Sequence, residues 1–407
     1  MKIAYLHQYF ALPSSSGGTR SYDLAKSFLN KGHRVVVVTT SSFLKNYKEF
    51  SDGWTVLDYE GLELHVLKLD YSNNLSFAKR IITFIQFLVK ASLRLIKLKC
   101  DVVLATSTPI TIAIPAFIKK LVHKTPFIFE VRDVWPEVPI AMGIIKNNTV
   151  ARLLKGFERM IYQQSSHIVA LSDDMEKSIS TITKIGKSLS VIPNISEVNR
   201  FANCDPNKKL IADLIGEQPK KLVLYAGTIG MVNGLKYMVD IAIHLKEVDP
   251  EIKFVVFGDG MEKKELVRYA KKEGVLNKTL FFLDPVSKSQ LPQIYYESSV
   301  ASSFVIPIPE LWANSANKFF DCLAAGRPIV INHRGWQADV IERENIGFVL
   351  DFNIENIKNE AKRFSDYINN SSLLSMQGKN AKHLAETRYS LEIASVKYLK
   401  ILDNVVS

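Results

Sequence analysis

The chain has 407 residues, too long for one hydrophobic core, so two domains of about 150 to 200 residues each are expected. Its 47% hydrophobic and 23% charged residues exclude a disordered chain, and a formal charge of +11, from 52 Lys and Arg against 41 Asp and Glu, calls for an anionic partner. Cys100, Cys204 and Cys322 are scattered and odd in number, so neither a disulfide framework nor a zinc site can be read from them, and a reducing cytoplasm fits.

MKIAYLHQYF runs directly into a strand and has neither the apolar core nor the cleavage site of a signal peptide. No apolar stretch of about 20 residues is free of charge, so no spanning helix is expected. After the first strand, Lys2 to Gln8, comes the loop ALPSSSGGTR with Gly17 and Gly18, then a helix from Ser21 to Lys31, and RVVVVTT gives a second buried strand. This β-loop-α-β unit places its glycine pair where doubly wound sheets present ligands, although the GxGxxG spacing is absent. LELHVLKL alternates like an edge strand, and DVVLATS, PFIFEVR and HIVALS supply further short apolar runs, each followed by a helical pattern. Directly after one of these runs stand Arg132, Asp133, Trp135, Pro136 and Glu137, charged and aromatic residues crowded at a strand end. That placement reads either as a ligand site or as a structural ion pair beside a core tryptophan.

The Pro- and Asn-rich segment 199–220 reads as a linker between a domain at 1–198 and one at 221–388, with a final helix in 389–407. The second domain opens with another strand and a glycine loop carrying Gly227, Thr228, Gly230 and Gly234. KFVVFGDG, TLFFLD, SVASSFVI and RPIVIN continue the strand-helix alternation, so the fold class is α/β with two Rossmann-like domains. The stretch NSANKFFDCLAAGRPIVI joins a polar loop, a helix start and a buried strand within a few residues. Ser315 is the expected N-cap, and Asn317 and Lys318 fall in the first turn. There the free N–H groups and a cation together suit an anion, and Asp321 follows one turn later.

The run Asn317-Lys318-Phe319-Phe320-Asp321 followed by AAGRPI resembles the donor-binding segment of family 4 glycosyltransferases of the GT-B fold. The run Arg132-Asp133-x-Trp135-Pro136-Glu137 is similar to a subgroup of bacterial O-antigen and capsule transferases proposed to move N-acetylfucosamine. The resemblance implies two domains facing a cleft, a last helix crossing back to the first domain, and transfer that retains the anomeric configuration. It assigns Gly17, Gly18, Arg20, Gly227, Thr228, Gly230, Asn317, Lys318 and Asp321 to the donor, a UDP-sugar, and Arg132, Asp133 and Glu137 to catalysis. Many relatives hold the ribose through a Glu at the position of Asp321 and carry a second Glu eight residues upstream, where this chain has Ala313. They also carry an Arg and a Lys in the glycine loop where Thr228 and Asn233 stand here.

No Walker loop, HExxH pair, G-x-S-x-G elbow or Asp-x-Asp pair is present, so neither a cofactor nor a metal ion is expected. A departing diphosphate needs only helix N–H groups and cations. A sugar-nucleotide epimerase of the same fold is the alternative, and a basic nucleic-acid-binding module a distant one, for which no recognition motif exists; no nucleic-acid partner is expected. Residues 76–99, SFAKRIITFIQFLVKASLRLIKLK, place Lys79, Thr83, Gln86, Lys90, Arg94 and Lys97 on one helical stripe beside Phe77, Ile81, Phe84, Ile85, Leu88 and Leu95. Lys119, Lys120 and Lys124 extend the basic patch. This pattern suits either a core helix with a basic solvent face or one lying on an anionic membrane. With the resemblance it implies a lipid-diphosphate-linked acceptor at the inner face of the plasma membrane.

Overall fold

In the computed structural model, residues 1–15, 18–44, 47–69, 77–183 and 188–407 are described, residues 77–81 as backbone only. The chain forms two units, the first made of Met1–Pro193 with Leu391–Ser407, the second of Asn194–Ser390.

The first unit carries strands β1 (Lys2–Leu6), β2 (Arg34–Thr40), β3 (Trp54–Tyr59), β4 (Leu62–Leu67), β5 (Val102–Thr106), β6 (Phe127–Val131), β7 (His167–Ala170) and β8 (Leu189–Val191) in the order β3-β4-β2-β1-β5-β6-β7-β8. All pairs are parallel except β3 with β4. The β-branched run of β2 is buried on both faces, as a central parallel strand requires. Strand order reverses between β1 and β5, so the loops after these two strands frame the ligand-presenting edge.

The helix Leu391–Val406 belongs to this unit and packs on the helix Arg20–Asn30. Phe28 meets the Tyr398 ring edge-on at 6.0 Å, and the Ser27 hydroxyl donates to Ser395 at 2.6 Å. Arg20 lies beneath this contact, 4% exposed. Its Nε donates to Glu130 at 3.1 Å, and its other nitrogens donate to the carbonyls of Ile192 and Pro193 and to the Tyr398 hydroxyl. Tyr398 and Thr106 also donate to Glu130. Arg20, expected to contact the donor, makes four guanidinium hydrogen bonds inside the fold instead, as a charge buried this deeply requires.

The second unit carries β9 (Lys221–Ala226), β10 (Ile252–Phe257), β11 (Leu280–Leu283), β12 (Val300–Ser303), β13 (Ile329–Ile331) and β14 (Gly347–Val349), all parallel, in the order β11-β10-β9-β12-β13-β14. Its order reverses between β9 and β12. The segment expected as a linker is folded instead: helices Val198–Phe201 and Leu210–Ile215 bury Phe201 and Ile211 in this unit's core. Gln293 and Glu297 accept from backbone N–H groups at Asp205, Leu210 and Ile211. The division falls at Pro193 because Asn194 and Ser196 are already tied to the Ser315 carbonyl and to Tyr389 and Phe320.

Candidate functional site

In the second unit, β9 ends in the loop Gly227-Thr228-Ile229-Gly230, which lies against the loop after β10. The N–H groups of Gly227 and Ile229 donate to Phe257 and Asp259 carbonyls, each at 2.9 Å, so these two amides are not available to a phosphate. A side chain at Gly258 would stand 2.0 Å from the Gly227 carbonyl oxygen, which makes glycine obligatory there. Gly227 itself has φ +155°, and a Cβ on it would meet Lys318 Cε at 2.5 Å. Thr228 is exposed, and its carbonyl accepts the Tyr225 hydroxyl at 2.7 Å.

The helix Asn317–Ala324 starts beside this loop. Its N-cap is Ala316, one residue later than expected, and no side chain caps the first turn; the Ser315 hydroxyl instead faces the Asn194 N–H at 3.5 Å. Asn317 is exposed at that uncapped start. Lys318 reaches back so that Nζ lies 5.0 Å from the centre of the Tyr225 ring and 3.4 Å from Asn233 Oδ1. A lysine on this helix thus brings its ammonium to the glycine loop, whose own residues are uncharged. Burial pulls its pKa down to about 8, against the pull of Asp321, and burial pushes Asp321 up to about 6, opposed chiefly by Lys288. Lys288, Glu197 and Arg200 surround the carboxylate, with Lys288 Nζ 3.8 Å from Glu197 and Arg200 paired to the same acid. The sequence gives no sign of Lys288, which sits in a polar loop without a motif.

In the first unit, the backbone N–H of Arg132 donates to Ser107 Oγ at 2.8 Å and the Thr108 hydroxyl donates to Asp133, which stitches the loops after β5 and β6 together. Arg132 and Asp133 form no ion pair with each other among the described residues, and both remain partly exposed. Asp133, Trp135, Tyr162, Phe129 and Ile110 line one small pocket, with room for little more than a water molecule. Glu137 opens the short helix Glu137–Ala141, 3.7 Å from Lys155. It lies near Glu158, whose carboxyl burial and the Glu137 charge push up to about 8 and whose Oε1 accepts the Tyr162 hydroxyl at 2.8 Å. His7 directly follows β1, is 5% exposed, and its Nδ1 has no hydrogen-bond partner among the described residues. Burial and the Arg132 charge hold its pKa down at about 3. A lone histidine at a strand end was the available signal for it. Gly18 is partly buried, and Gly17 lies outside the described residues.

On the helix Phe77–Lys97, the inward face is Phe87, Ala91, Ser92 and Leu95. The outward face is divided lengthwise, with Ile82, Ile85, Val89 and Leu93 exposed beside Gln86, Lys90 and Lys97. Two basic residues leave the expected patch. Arg94 turns in, donating to His65 at 3.0 Å over the Trp54 ring, and Lys119 is buried, donating to the Leu98 carbonyl at 2.7 Å. Ser76 and the side chains of Phe77, Lys79 and Ile81 lie outside the described residues. Leu121 and Val122 are exposed on the adjoining helix Ala113–His123, each by more than half of its surface. Among the described residues no helix is long and apolar enough to cross a membrane.

Residues 17–200 match the model of Glycosyltransferase Family 4, and residues 208–384 that of Glycosyl transferases group 1. The chain is 26% identical over 199 residues to spore coat protein SA of Bacillus subtilis, covering 46% of this chain and 50% of that protein. It is 24% identical over 159 residues to the putative colanic acid biosynthesis glycosyl transferase WcaI of Escherichia coli, covering 38% and 39%. It therefore spans half or less of the length of these curated relatives. The crystal structure of Anabaena HepE in complex with UDP and glucose superposes with a TM-score of 0.72 at 15% identity, over 99% of this chain and 100% of that one.

Proposed function

We propose a reaction for this chain from the premise that it is a glycosyltransferase of the GT-B fold, with a family 4 domain in its first half and a group 1 domain in its second: it moves a sugar from a UDP-sugar donor to a lipid-diphosphate-linked saccharide, with retention of configuration. The observation that carries the donor half is the Lys318 ammonium held at the Gly227 loop, one turn from Asp321 on a helix whose first turn no side chain caps. In this reading Lys318, the N–H groups around Asn317, the exposed Thr228 and the partly exposed Gly230 bind the diphosphate, and Asp321 accepts from the ribose hydroxyls. Charge that develops on the departing diphosphate is met by groups already in place, so no metal ion is assigned a step.

Arg132, Asp133 and Glu137 are assigned to the acceptor side, where Asp133 and Glu137 orient the attacking hydroxyl or the sugar. WcaI is named for colanic acid biosynthesis, and its similarity supports a surface-polysaccharide product for this chain, such as O-antigen or capsule; N-acetylfucosamine as the sugar rests on the resemblance of the Arg132-Asp133-x-Trp135-Pro136-Glu137 run alone. The exposed Ile82, Ile85, Val89 and Leu93, with Lys90 and Lys97 alongside and Leu121 and Val122 on the next helix, support a peripheral seat on the inner face of the plasma membrane. The deciding experiment measures UDP-sugar hydrolysis and transfer to prenyl-diphosphate saccharides, with and without a chelator. Activity that needs the lipid-linked acceptor and survives chelation is expected. Conversion of the nucleotide sugar alone into an epimer would refute the proposal.

A further inference from the structure

Beside Ala313, three polar atoms lack a hydrogen-bond partner among the described residues: Trp312 Nε1, His333 Nε2 and Gln337 Oε1. His333 and Gln337 are only 1% and 2% exposed, and the Trp312 ring stacks on the His333 ring at 6.5 Å with 24° between their planes. A buried polar atom left unbonded costs about 1 to 3 kcal/mol, and folded proteins leave few of them. Two of them sit on stacked rings, and Gln337 bonds the carbonyl of Asn314, two residues beyond Trp312, so the three mark one place for an occupant.

Their chemistry defines that occupant. His333 Nδ1 lies 2.7 Å from the Arg334 carbonyl, which only accepts, so Nδ1 carries the proton and Nε2 presents a lone pair. Burial holds the ring neutral, with its pKa down at about 4. Gln337 Nε2 donates to the Asn314 carbonyl at 3.1 Å, which turns Oε1 into the free acceptor. Trp312 Nε1 only donates. The cluster therefore offers one donor and two acceptors and no charge, with Phe352 packed 5.6 Å from Trp312 as an apolar wall. The same Asn314 carbonyl precedes by three residues the helix that carries Lys318 and Asp321, which places the cluster at the uncharged end of the donor-binding segment.

We propose that Trp312, His333 and Gln337 form the subsite that recognises the sugar of the donor, taking an uncharged group that both donates and accepts. An acetamido group fits best, its N–H donating to His333, its carbonyl accepting from Trp312 and its methyl against Phe352; a ring hydroxyl shares the same chemistry. This inference rests on the donor reading given above. It is tested by calorimetric binding of UDP, UDP-glucose and UDP-N-acetylglucosamine to the full chain and to Trp312→Phe and His333→Phe. The expected result is UDP affinity unchanged, with the affinity ratio of UDP-sugar to UDP falling about tenfold in the variants. A larger fall for the acetamido sugar than for glucose assigns the acetamido group, and an equal fall assigns a hydroxyl. An unchanged ratio, or an equal loss for UDP itself, overturns the subsite alone. If the wild-type chain binds no UDP compound, the donor reading fails and the subsite falls with it. Trp312→Phe leaves an aromatic ring at a partly exposed position and takes away the indole N–H, so it carries the test even where His333→Phe fails to fold.

Discussion

Binding of a UDP-sugar should be confined to a pH window set by two side chains on one helix. Asp321 is lifted to about 6 by burial, so below that pH it is protonated and no longer accepts ribose hydroxyls as an anion; affinity falls as pH falls through 6. Lys318 is lowered to about 8, so above it the ammonium facing the diphosphate is lost, and affinity falls as pH rises. A bound diphosphate favours the ammonium, so in the complex the upper limit moves back up. The size of the alkaline loss follows from the Lys318 position. A unit charge pair about 4 Å apart is worth ~4 kcal/mol at an effective dielectric of 20, and charged hydrogen bonds measure about 1.5 to 3 kcal/mol. Because Lys318 is partly exposed, ~2 kcal/mol is the better figure, equal to about a 30-fold change in Kd. Calorimetry from pH 5 to about 9 measures it, with a UDP-sugar rather than UDP because a terminal phosphate has its own ionisation near 6. Lys318→Met should weaken binding about 30-fold at pH 7 and remove the alkaline limb, while Asp321→Asn removes the acid limb. A wild-type profile flat across this range, or limbs that persist in these variants, would refute the assignment.

Glu130→Gln should destabilise the first unit by about 3 to 5 kcal/mol, read by urea unfolding, because it leaves Arg20 buried without its carboxylate. Although burial pushes Glu130 up, Arg20 and its other partners outweigh it and hold its pKa at about 2, so its stabilising share is present above about 4.5 and lost as pH falls toward 2. Glu158 has the opposite sign: its pKa is raised, so the stability it confers is full below about 4.5 and lost as pH rises through 8. Glu158→Gln should accordingly flatten the decline of Tm between pH 5 and 9. Asp133→Asn and Glu137→Gln should each lower kcat about 100-fold or more with UDP affinity unchanged, and an equal loss of UDP affinity would indicate a structural role. Sedimentation with anionic vesicles should weaken with salt and be abolished in Ile85→Ser/Val89→Ser/Leu93→Ser; retained binding in that variant would exclude this face.

The sequence makes visible what repeats or what is forbidden. Short apolar runs mark β2, β5, β6 and β13 because central parallel strands are buried on both faces. Lys318 and Asp321 stand out by their spacing on a helix. Direction is not encoded so locally. Arg20 and Lys318 are both cations beside glycine loops, yet one turns into Glu130, over a hundred residues away, and the other toward Asn233. Arg94 reads as one more basic residue of a stripe until His65 and Trp54 are known to be its neighbours. The segment 199–220 looks like a linker because its anchors, Gln293 and Glu297, lie about ninety residues further on.

The return of the helix Leu391–Val406 to the first unit sets the order in which the chain can finish folding during synthesis. The second unit is continuous in sequence, so all of its strands have been made by Ser390. The first unit, although begun first, leaves Phe28 and the Arg20 and Glu130 charges without Tyr398 until the segment Leu391–Ser407 emerges from the ribosome. On this account the unit begun first is completed last. A nascent chain arrested before residue 391 should protect the second unit from protease and leave the first open to cleavage.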